Sequence, residues 1–163
     1  FDAIKDENLE PDNSVVLAPD IGSVKMSQGY AKNLGMYFAL IDKRRYAPNK
    51  AEISHLIGDL NGMDVLIIDD MIDTAGTTVN AAEAALKQGA KSVTAVATHG
   101  VLSGPAMERL SESNIKKIIV TDTIAISKEK HIEKLKIVSV GNVFGEAVNR
   151  IHNGESVSAL FEF

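Results

Sequence analysis

The chain has 163 residues, a length that suits one domain with its own buried core. It has no cysteine, which excludes disulfides and thiolate metal sites and fits a reducing cytoplasm. The net charge is −5, and acidic and basic residues are interspersed along the sequence, which argues against a broad basic face for nucleic acid. The apolar runs are too short to span a bilayer. We therefore expect a cytoplasmic domain that partners neither a membrane nor a nucleic acid.

Strands and helices alternate from the start of the chain. "SVVLAP" (14–19) predicts a buried strand, a short helix follows over 28–34, and "YFALI" (37–41) predicts the next strand. The polar stretch "DKRRYAPNKAE" (42–52) contains Pro-Asn and predicts a loop. "ISHLIGDLNG" (53–62) predicts a hairpin arm closed by the turn dipeptide Asn-Gly.

The same alternation continues to the end of the chain. "DVLIID" (64–69) is a continuous apolar run that predicts a strand covered on both faces, and "TTVNAAEAALKQG" (77–89) predicts a helix that closes on Gly89. The later predicted elements are a strand over 92–100, a helix over 105–112, strands over 115–122 and 137–141, and a helix over 142–154. This order predicts an α/β domain with a mostly parallel central sheet flanked by helices. In such sheets ligands bind at the carboxyl ends of the strands.

The junction between the strand at 64–69 and the helix at 77–89 has the character of an anion site. Residues 73–77 form the loop into the helix, where successive backbone N–H groups and the helix N-terminus favour a phosphate. Gly76 is expected to allow a backbone conformation closed to other residues. Thr74 and Thr77 add hydroxyl donors, so the loop predicts a phosphate cradle.

Two acids precede this cradle and indicate a second kind of contact. Ionised Asp69 and Asp70 only accept hydrogen bonds, so they suit sugar hydroxyls, directly or through Mg²⁺. A phosphate beside a diol describes a pentose 5-phosphate. The alternative is an N-cap cluster, in which Asp73 or Thr74 caps the helix and the other acids are merely solvated. The full string of acids, threonines and glycine favours the ligand site.

The basic run Lys43-Arg44-Arg45 offers a further candidate function. A solvated surface loop is the alternative reading of such a short run. A mobile lid that brings positive charge onto a polyphosphate would stabilise diphosphoryl transfer electrostatically and exclude water. Asp20 ends the first strand and is expected at the same sheet edge as Asp69.

Several stretches resemble one known family. "VLIIDDMIDTAGTT" (65–78) is similar to the phosphoribosyl-diphosphate motif of type I phosphoribosyltransferase folds. The stretches "APDIG" (18–22), "IDKRR" (41–45) and "ATHGVLSGPAMERL" (97–110) resemble the ribose-phosphate diphosphokinases, as does the tail "RIHNGESVSALF" (150–161). These enzymes are longer, and residues 1–163 resemble their C-terminal, phosphoribosyltransferase-type half without the ATP-binding half.

The resemblance implies a reaction and roles for individual residues. The reaction transfers diphosphate from MgATP to the C1 hydroxyl of ribose 5-phosphate, giving phosphoribosyl diphosphate and AMP, in a homo-oligomer that is a dimer or a hexamer. Lys43 and Arg45 are implied to be catalytic, and Asp20 to hold Mg²⁺. The implied ribose 5-phosphate residues are Asp69, Asp70, Asp73, Thr74, Ala75, Gly76 and Thr77. We expect the isolated chain to lack turnover, because the ATP-binding half is absent from it.

The tail has two readings. The resemblance implies a regulatory phosphate or nucleotide site between subunits, with Ser156, Val157, Ser158 and Phe161 as candidate residues. The alternative is an ordinary packed C-terminal strand, which the sequence alone favours. His99 is balanced between a satisfied edge histidine and a nucleotide or interface role, and Ser103-Gly104-Pro105 predicts a helix N-cap followed by proline.

One segment departs from the family pattern. The family usually continues after its first glycine with a second glycine and two arginines, whereas residues 22–28 of this chain are Gly-Ser-Val-Lys-Met-Ser-Gln. The missing arginines motivate one alternative, a non-catalytic subunit that regulates a synthetase by assembly. The other alternative is a phosphoribosyltransferase that consumes the same diphosphate and needs no basic lid.

Overall fold

A computed structural model describes residues 2–44 and 53–161 of the chain. The strands in this part are β1 (Ser14–Ala18), β2 (Tyr37–Arg44), β3 (Ile53–Ile57), β4 (Asp64–Ile72), β5 (Ser92–Gly100), β6 (Lys117–Thr121) and β7 (Leu135–Val138). They form one sheet in the order β3-β2-β1-β4-β5-β6-β7. Only the pairing of β2 with the edge strand β3 is antiparallel among these neighbours, and the mostly parallel sheet is therefore confirmed.

Helices cover both faces of this sheet. The described helices are α1 (Asp2–Lys5), α2 (Val24–Leu34), α3 (Gly76–Lys87), α4 (Ala106–Glu112) and α5 (Gly141–His152). The helices α2 and α3 pack on opposite faces, whereas α5 has no buried residue. Along β4, Val65 and Ile67 belong to the core cluster that contains α3, whereas Leu66 and Ile68 belong to the cluster on the α2 side. Burial on both faces explains why the strand is a continuous apolar run and not an alternating one.

The strand that carries the two acids is longer than predicted. β4 continues to Ile72, because β5 runs equally far and pairs Asp69 with Ala97 and Ile72 with Gly100. Asp69 and Asp70 therefore lie within the last part of the strand and not after its end. The prediction that the strand stops at residue 69 was wrong, since ladder partners on a neighbouring strand outweigh the low strand propensity of aspartate.

Other boundaries also differ from the predictions. α2 begins at Val24, four positions before the predicted start, after a turn over 20–23. The predicted loop at 42–52 is strand over 42–44, and residues 45–52 lie outside the described part of the chain. β3 is a hairpin arm, but its antiparallel partner is β2, and the Asn61-Gly62 turn leads to β4, which pairs with β1 and β5 instead.

The C-terminal part is the least buried. The tail forms a 3-10 helix over Ser158–Phe161, with the Phe161 side chain 66% exposed, so the predicted packed strand was wrong. Apolar packing against the sheet is what would order such a strand, and no residue over 153–161 is fully buried. None of the described helices is both long enough and apolar enough for a membrane crossing.

Candidate functional site

The carboxyl ends of β1 and β4 bring three acids together. These strands are adjacent and parallel, so Asp20, which follows β1, faces Asp69 and Asp70 near the end of β4. The three side chains line one cavity of about 420 Å³, together with Gly22, Ser23 and Met26. The sequence placed Asp20 and Asp69 at one edge from strand order alone, and the structure does bring them together.

Asp20 is oriented by the turn that precedes α2. Its Oδ1 accepts hydrogen bonds from the Ser23 backbone N–H at 3.1 Å and from Ser23 Oγ at 3.3 Å. A Cβ on Gly22 would lie 3.2 Å from the same oxygen, so a larger residue at position 22 would crowd the carboxylate. Serine at position 23 thus fixes the acid.

The segment that lacks the family's arginines starts α2. Ser27 is fully buried and its Oγ donates to the Ile68 backbone oxygen at 3.3 Å, which ties α2 to the strand that carries the acids. Lys25 and Gln28 line a neighbouring cavity of about 720 Å³ with several apolar side chains. Lys25 therefore places one positive side chain next to the acidic cavity.

The electrostatics of the acidic cavity centre on Asp69. Burial, reinforced by the negative charges of Asp20 and Asp70, raises the pKa of Asp69 to about 6. The Asp70 backbone N–H donates to Asp69 Oδ1 at 2.9 Å and opposes the shift without cancelling it. Crowded carboxylates of this kind are stabilised by hydroxyl donors or by a cation.

The loop over 73–77 leads directly into α3, but its unusual residue is not the predicted one. Ala75 precedes the helix with φ 62° and ψ 3°, a left-handed conformation, whereas Gly76 does not have positive φ. The prediction that Gly76 adopts a conformation closed to other residues was therefore wrong. The methyl group of Ala75 is buried in the main core, and this packing holds a backbone conformation that costs alanine about 1 kcal/mol.

The N-cap alternative is also not what the structure shows. Within the described residues no side chain caps α3 at its N-terminus. Asp73 instead accepts a hydrogen bond from Ser103 Oγ through its Oδ1, and the Thr74 backbone oxygen accepts from Arg109 Nη1 at 3.0 Å. The first N–H groups of α3 remain available, as a bound anion requires.

Sequence reasoning missed Ser103 and Arg109. Ser103 was predicted to cap the next helix, yet α4 begins at Ala106 with Pro105 at its N-cap, and the Ser103 hydroxyl turns to Asp73. A contact between residues 30 positions apart leaves no local pattern.

The remaining candidates are the basic residues Lys43 and Arg45, His99 and the tail. The backbone of Lys43 pairs with Ser54 in the β2–β3 ladder, and Arg45 lies outside the described residues. His99 Nδ1 lies 2.9 Å from Thr123 Oγ1, so this histidine has a hydrogen-bond partner at the sheet edge. The tail residues Ser156, Val157, Ser158 and Phe161 do not line the acidic cavity.

The fold is that of the type I phosphoribosyltransferases. The orotate phosphoribosyltransferase from Aeropyrum pernix has the same fold, with a TM-score of 0.55 and 17% identity over 85% of this chain and 67% of that chain. The predicted fold class, a type I phosphoribosyltransferase-like α/β domain, is confirmed.

Sequence comparison places the chain more narrowly. The chain belongs to the family described as phosphoribosyl synthetase-associated domain, whose model matches residues 44–162. It is 48% identical over 156 residues to a ribose-phosphate pyrophosphokinase from Clostridium acetobutylicum, covering 96% of this chain and 49% of that relative. The phosphoribosylpyrophosphate synthetase structure from Mycobacterium smegmatis has a TM-score of 0.81 and 34% identity, covering 88% of this chain and 46% of that chain. The chain spans about half the length of the curated relatives that it matches, and the recognised family resemblance is confirmed.

Proposed function

We propose that this chain is the ribose 5-phosphate-binding half of a ribose-phosphate diphosphokinase, with residues 1–163 as its C-terminal domain. One observation carries the proposal: the loop over 73–77 follows β4 at the sheet edge where Asp69 and Asp70 line one cavity with Asp20. A ligand with a phosphate, a diol and a reactive C1 hydroxyl matches this arrangement. Relatives named ribose-phosphate pyrophosphokinase support the same assignment.

The 5-phosphate binds in the loop over 73–77, where backbone N–H groups and the Thr74 and Thr77 hydroxyls donate to its oxygens. Asp69 and Asp70 accept hydrogen bonds from the ribose hydroxyls. The two kinds of contact are adjacent because β4 leads into the loop within three residues of Asp70. Ribose 5-phosphate is therefore held both at its phosphate and at its ribose hydroxyls.

The donor set of the acidic cavity fits Mg²⁺. Among residues 2–44 and 53–161, no three histidine or carboxylate side chains are grouped closely enough to hold a metal on their own. Mg²⁺ usually binds through one or two carboxylates and completes its shell with water and substrate phosphates. Asp20, next to the raised-pKa carboxyl of Asp69, supplies this kind of site. Bound there, Mg²⁺ would neutralise the developing charge of the diphosphate.

The transfer joins the C1 oxygen of ribose 5-phosphate to the β-phosphorus of ATP. The bond between the β-phosphorus and the oxygen that bridges it to the α-phosphate breaks, AMP leaves, and the hydroxyl proton passes to solvent. Lys43 and Arg45 stabilise the negative charge on the transferring diphosphoryl group, because catalysis of this kind is mainly positioning and electrostatics. ATP binds chiefly to the half that this chain does not contain. The 163 residues alone therefore do not catalyse the transfer.

The same proposal covers the location, assembly and regulation of the enzyme. The enzyme is cytoplasmic and works as a homo-oligomer, a dimer or a hexamer, with ribose 5-phosphate and ATP as its substrates. The tail residues 156–161 contribute to a regulatory site between subunits. Their exposure in the described structure, with Phe161 66% accessible, supports a surface that another subunit covers.

The test is activity of the full-length protein with two substrate pairs. We expect AMP to form from MgATP and ribose 5-phosphate, and no nucleotide to form from phosphoribosyl diphosphate and free bases. Nucleotide formation from the second pair would assign the phosphoribosyltransferase alternative. No AMP, together with activation of a separate synthetase, would assign the regulatory subunit.

A further inference from the structure

We propose that residues 102–109 act as a clamp for the phosphate loop over 73–77, and that Arg109 and Ser103 are positioning residues for ribose 5-phosphate. This inference rests on the proposed function, since it concerns the same ligand. The clamp follows β5 and includes the start of α4. It touches the back of the phosphate loop and not the acidic cavity.

Three consecutive carbonyl oxygens of the phosphate loop and its preceding residue accept hydrogen bonds from the clamp. The Leu102 N–H donates to the Ile72 oxygen and the Ser103 N–H to the Asp73 oxygen, each at 3.0 Å. Arg109 Nη1 donates to the Thr74 oxygen, also at 3.0 Å. The clamp therefore fixes the peptide groups that follow residues 72, 73 and 74.

Fixing these carbonyls also fixes the opposite side of each peptide. The described peptide bonds are trans, and in a planar trans peptide the C=O and the following N–H point in opposite directions. The N–H groups of Asp73, Thr74 and Ala75 are thus directed away from the clamp. Successive N–H groups on one side of a turn form a concave anion site, so the clamp sets the donors that receive the phosphate.

The side chain of Ser103 reduces the repulsion between the Asp73 carboxylate and a bound phosphate. An ionised Asp73 would repel a phosphate bound next to it. Ser103 Oγ donates to Asp73 Oδ1 and holds that carboxylate on the clamp side. The guanidinium of Arg109 adds a positive charge behind the loop.

The clamp is itself held in place. Leu102 has φ 51°, a conformation that a leucine adopts only when its surroundings enforce it. Its side chain is fully buried in the main core, and Lys130 Nζ donates to its backbone oxygen at 2.8 Å. The clamp can therefore impose a geometry on the phosphate loop, where Ala75 has a similar strained backbone.

The test compares variants of the full-length protein by their steady-state constants and melting temperatures. We expect Arg109→Ala to raise the KM for ribose 5-phosphate roughly tenfold, because a charge-assisted hydrogen bond is lost, while the KM for ATP stays within about twofold. Arg109→Lys keeps a donor and the charge, so it should recover most of the affinity. Ser103→Ala should also raise the KM for ribose 5-phosphate. This variant replaces Arg109→Ala in the test if Arg109→Ala does not fold.

The matched control is Lys134→Ala, since Lys134 Nζ also donates to a backbone oxygen, that of Ser113, at 2.7 Å. It should leave both KM values unchanged. An unchanged KM for ribose 5-phosphate in folded Arg109→Ala and Ser103→Ala, or an equal rise in both KM values, would overturn the clamp. A wild-type protein that does not use ribose 5-phosphate would instead refute the proposed function.

Discussion

Replacing Asp69 by asparagine should make the protein more stable and less able to bind its ligand. The carboxyl lies between two other acids in the acidic cavity, and burial first, then the charges of Asp20 and Asp70, raise its pKa to about 6. Asparagine has nearly the same shape and no charge. The substitution therefore removes the electrostatic cost, and it replaces one of the two carboxylate oxygens, the proposed acceptors for a sugar hydroxyl or ligands for Mg²⁺, with an NH₂ donor.

The size of the stability gain follows from the pKa. A rise from 3.8 to about 6 corresponds to at most ~3 kcal/mol in the free energy of unfolding. Because Asp69 is only partly buried, solvent screening reduces this to roughly 1–2 kcal/mol. The pKa of Asp69 is higher in the folded state than in the unfolded state. The loss in free energy of unfolding is therefore absent below about pH 4, where Asp69 is protonated in both states. The loss grows as Asp69 ionises in the unfolded state first, and it is complete above about pH 6.

Urea unfolding of both proteins at about pH 4.5 and about pH 7.5 measures this dependence. We expect Asp69→Asn to be more stable by roughly 1–2 kcal/mol at the higher pH and by about half of that or less at the lower pH. Asp12→Asn, at an exposed position in a 3-10 turn away from the site, is the control. An equal gain at both pH values, or a loss at the higher one, would refute the charge crowding that we infer at Asp69.

Two further predictions concern the phosphate loop and the basic lid. Gly76→Ala should change the free energy of unfolding by less than about 1 kcal/mol, because Gly76 lacks positive φ and an added Cβ makes only ordinary contacts; a loss above about 2 kcal/mol in urea unfolding would contradict this. Lys43→Ala in the full-length protein should lower kcat for AMP formation by about a hundredfold while calorimetric binding of ribose 5-phosphate is retained. Full activity of Lys43→Ala would remove this residue from catalysis.

The sequence was sufficient for the sheet and for the position of the acids. Runs such as "VLII" at 65–68 are apolar on both faces, which occurs where helices cover both sides of a parallel sheet. Because parallel strands end at one edge, the acids after β1 and near the end of β4 had to meet. These inferences use only local pattern and the rule for crossover connections.

Long-range contacts set the features that the sequence did not reveal. β4 extends through Asp69 and Asp70 because β5 offers it partners, and no local propensity reports that. The left-handed residue of the loop is Ala75, not the neighbouring glycine, because core packing of its methyl group stabilises a strained backbone. Ser103 turns to Asp73 for a similar reason, since the two loops meet only in the folded chain.

Calorimetric titration of the full-length protein with ribose 5-phosphate, in parallel with ribose, tests the central claim most directly. The claim is that the edge formed by Asp69, Asp70 and the loop over 73–77 recognises a phosphate and a diol together. We predict saturable binding of ribose 5-phosphate with one site per chain, weakened at least tenfold when the phosphate is missing, because the phosphate loop then has nothing to bind. Equal affinity for ribose and ribose 5-phosphate, or no binding of either, would contradict the claim.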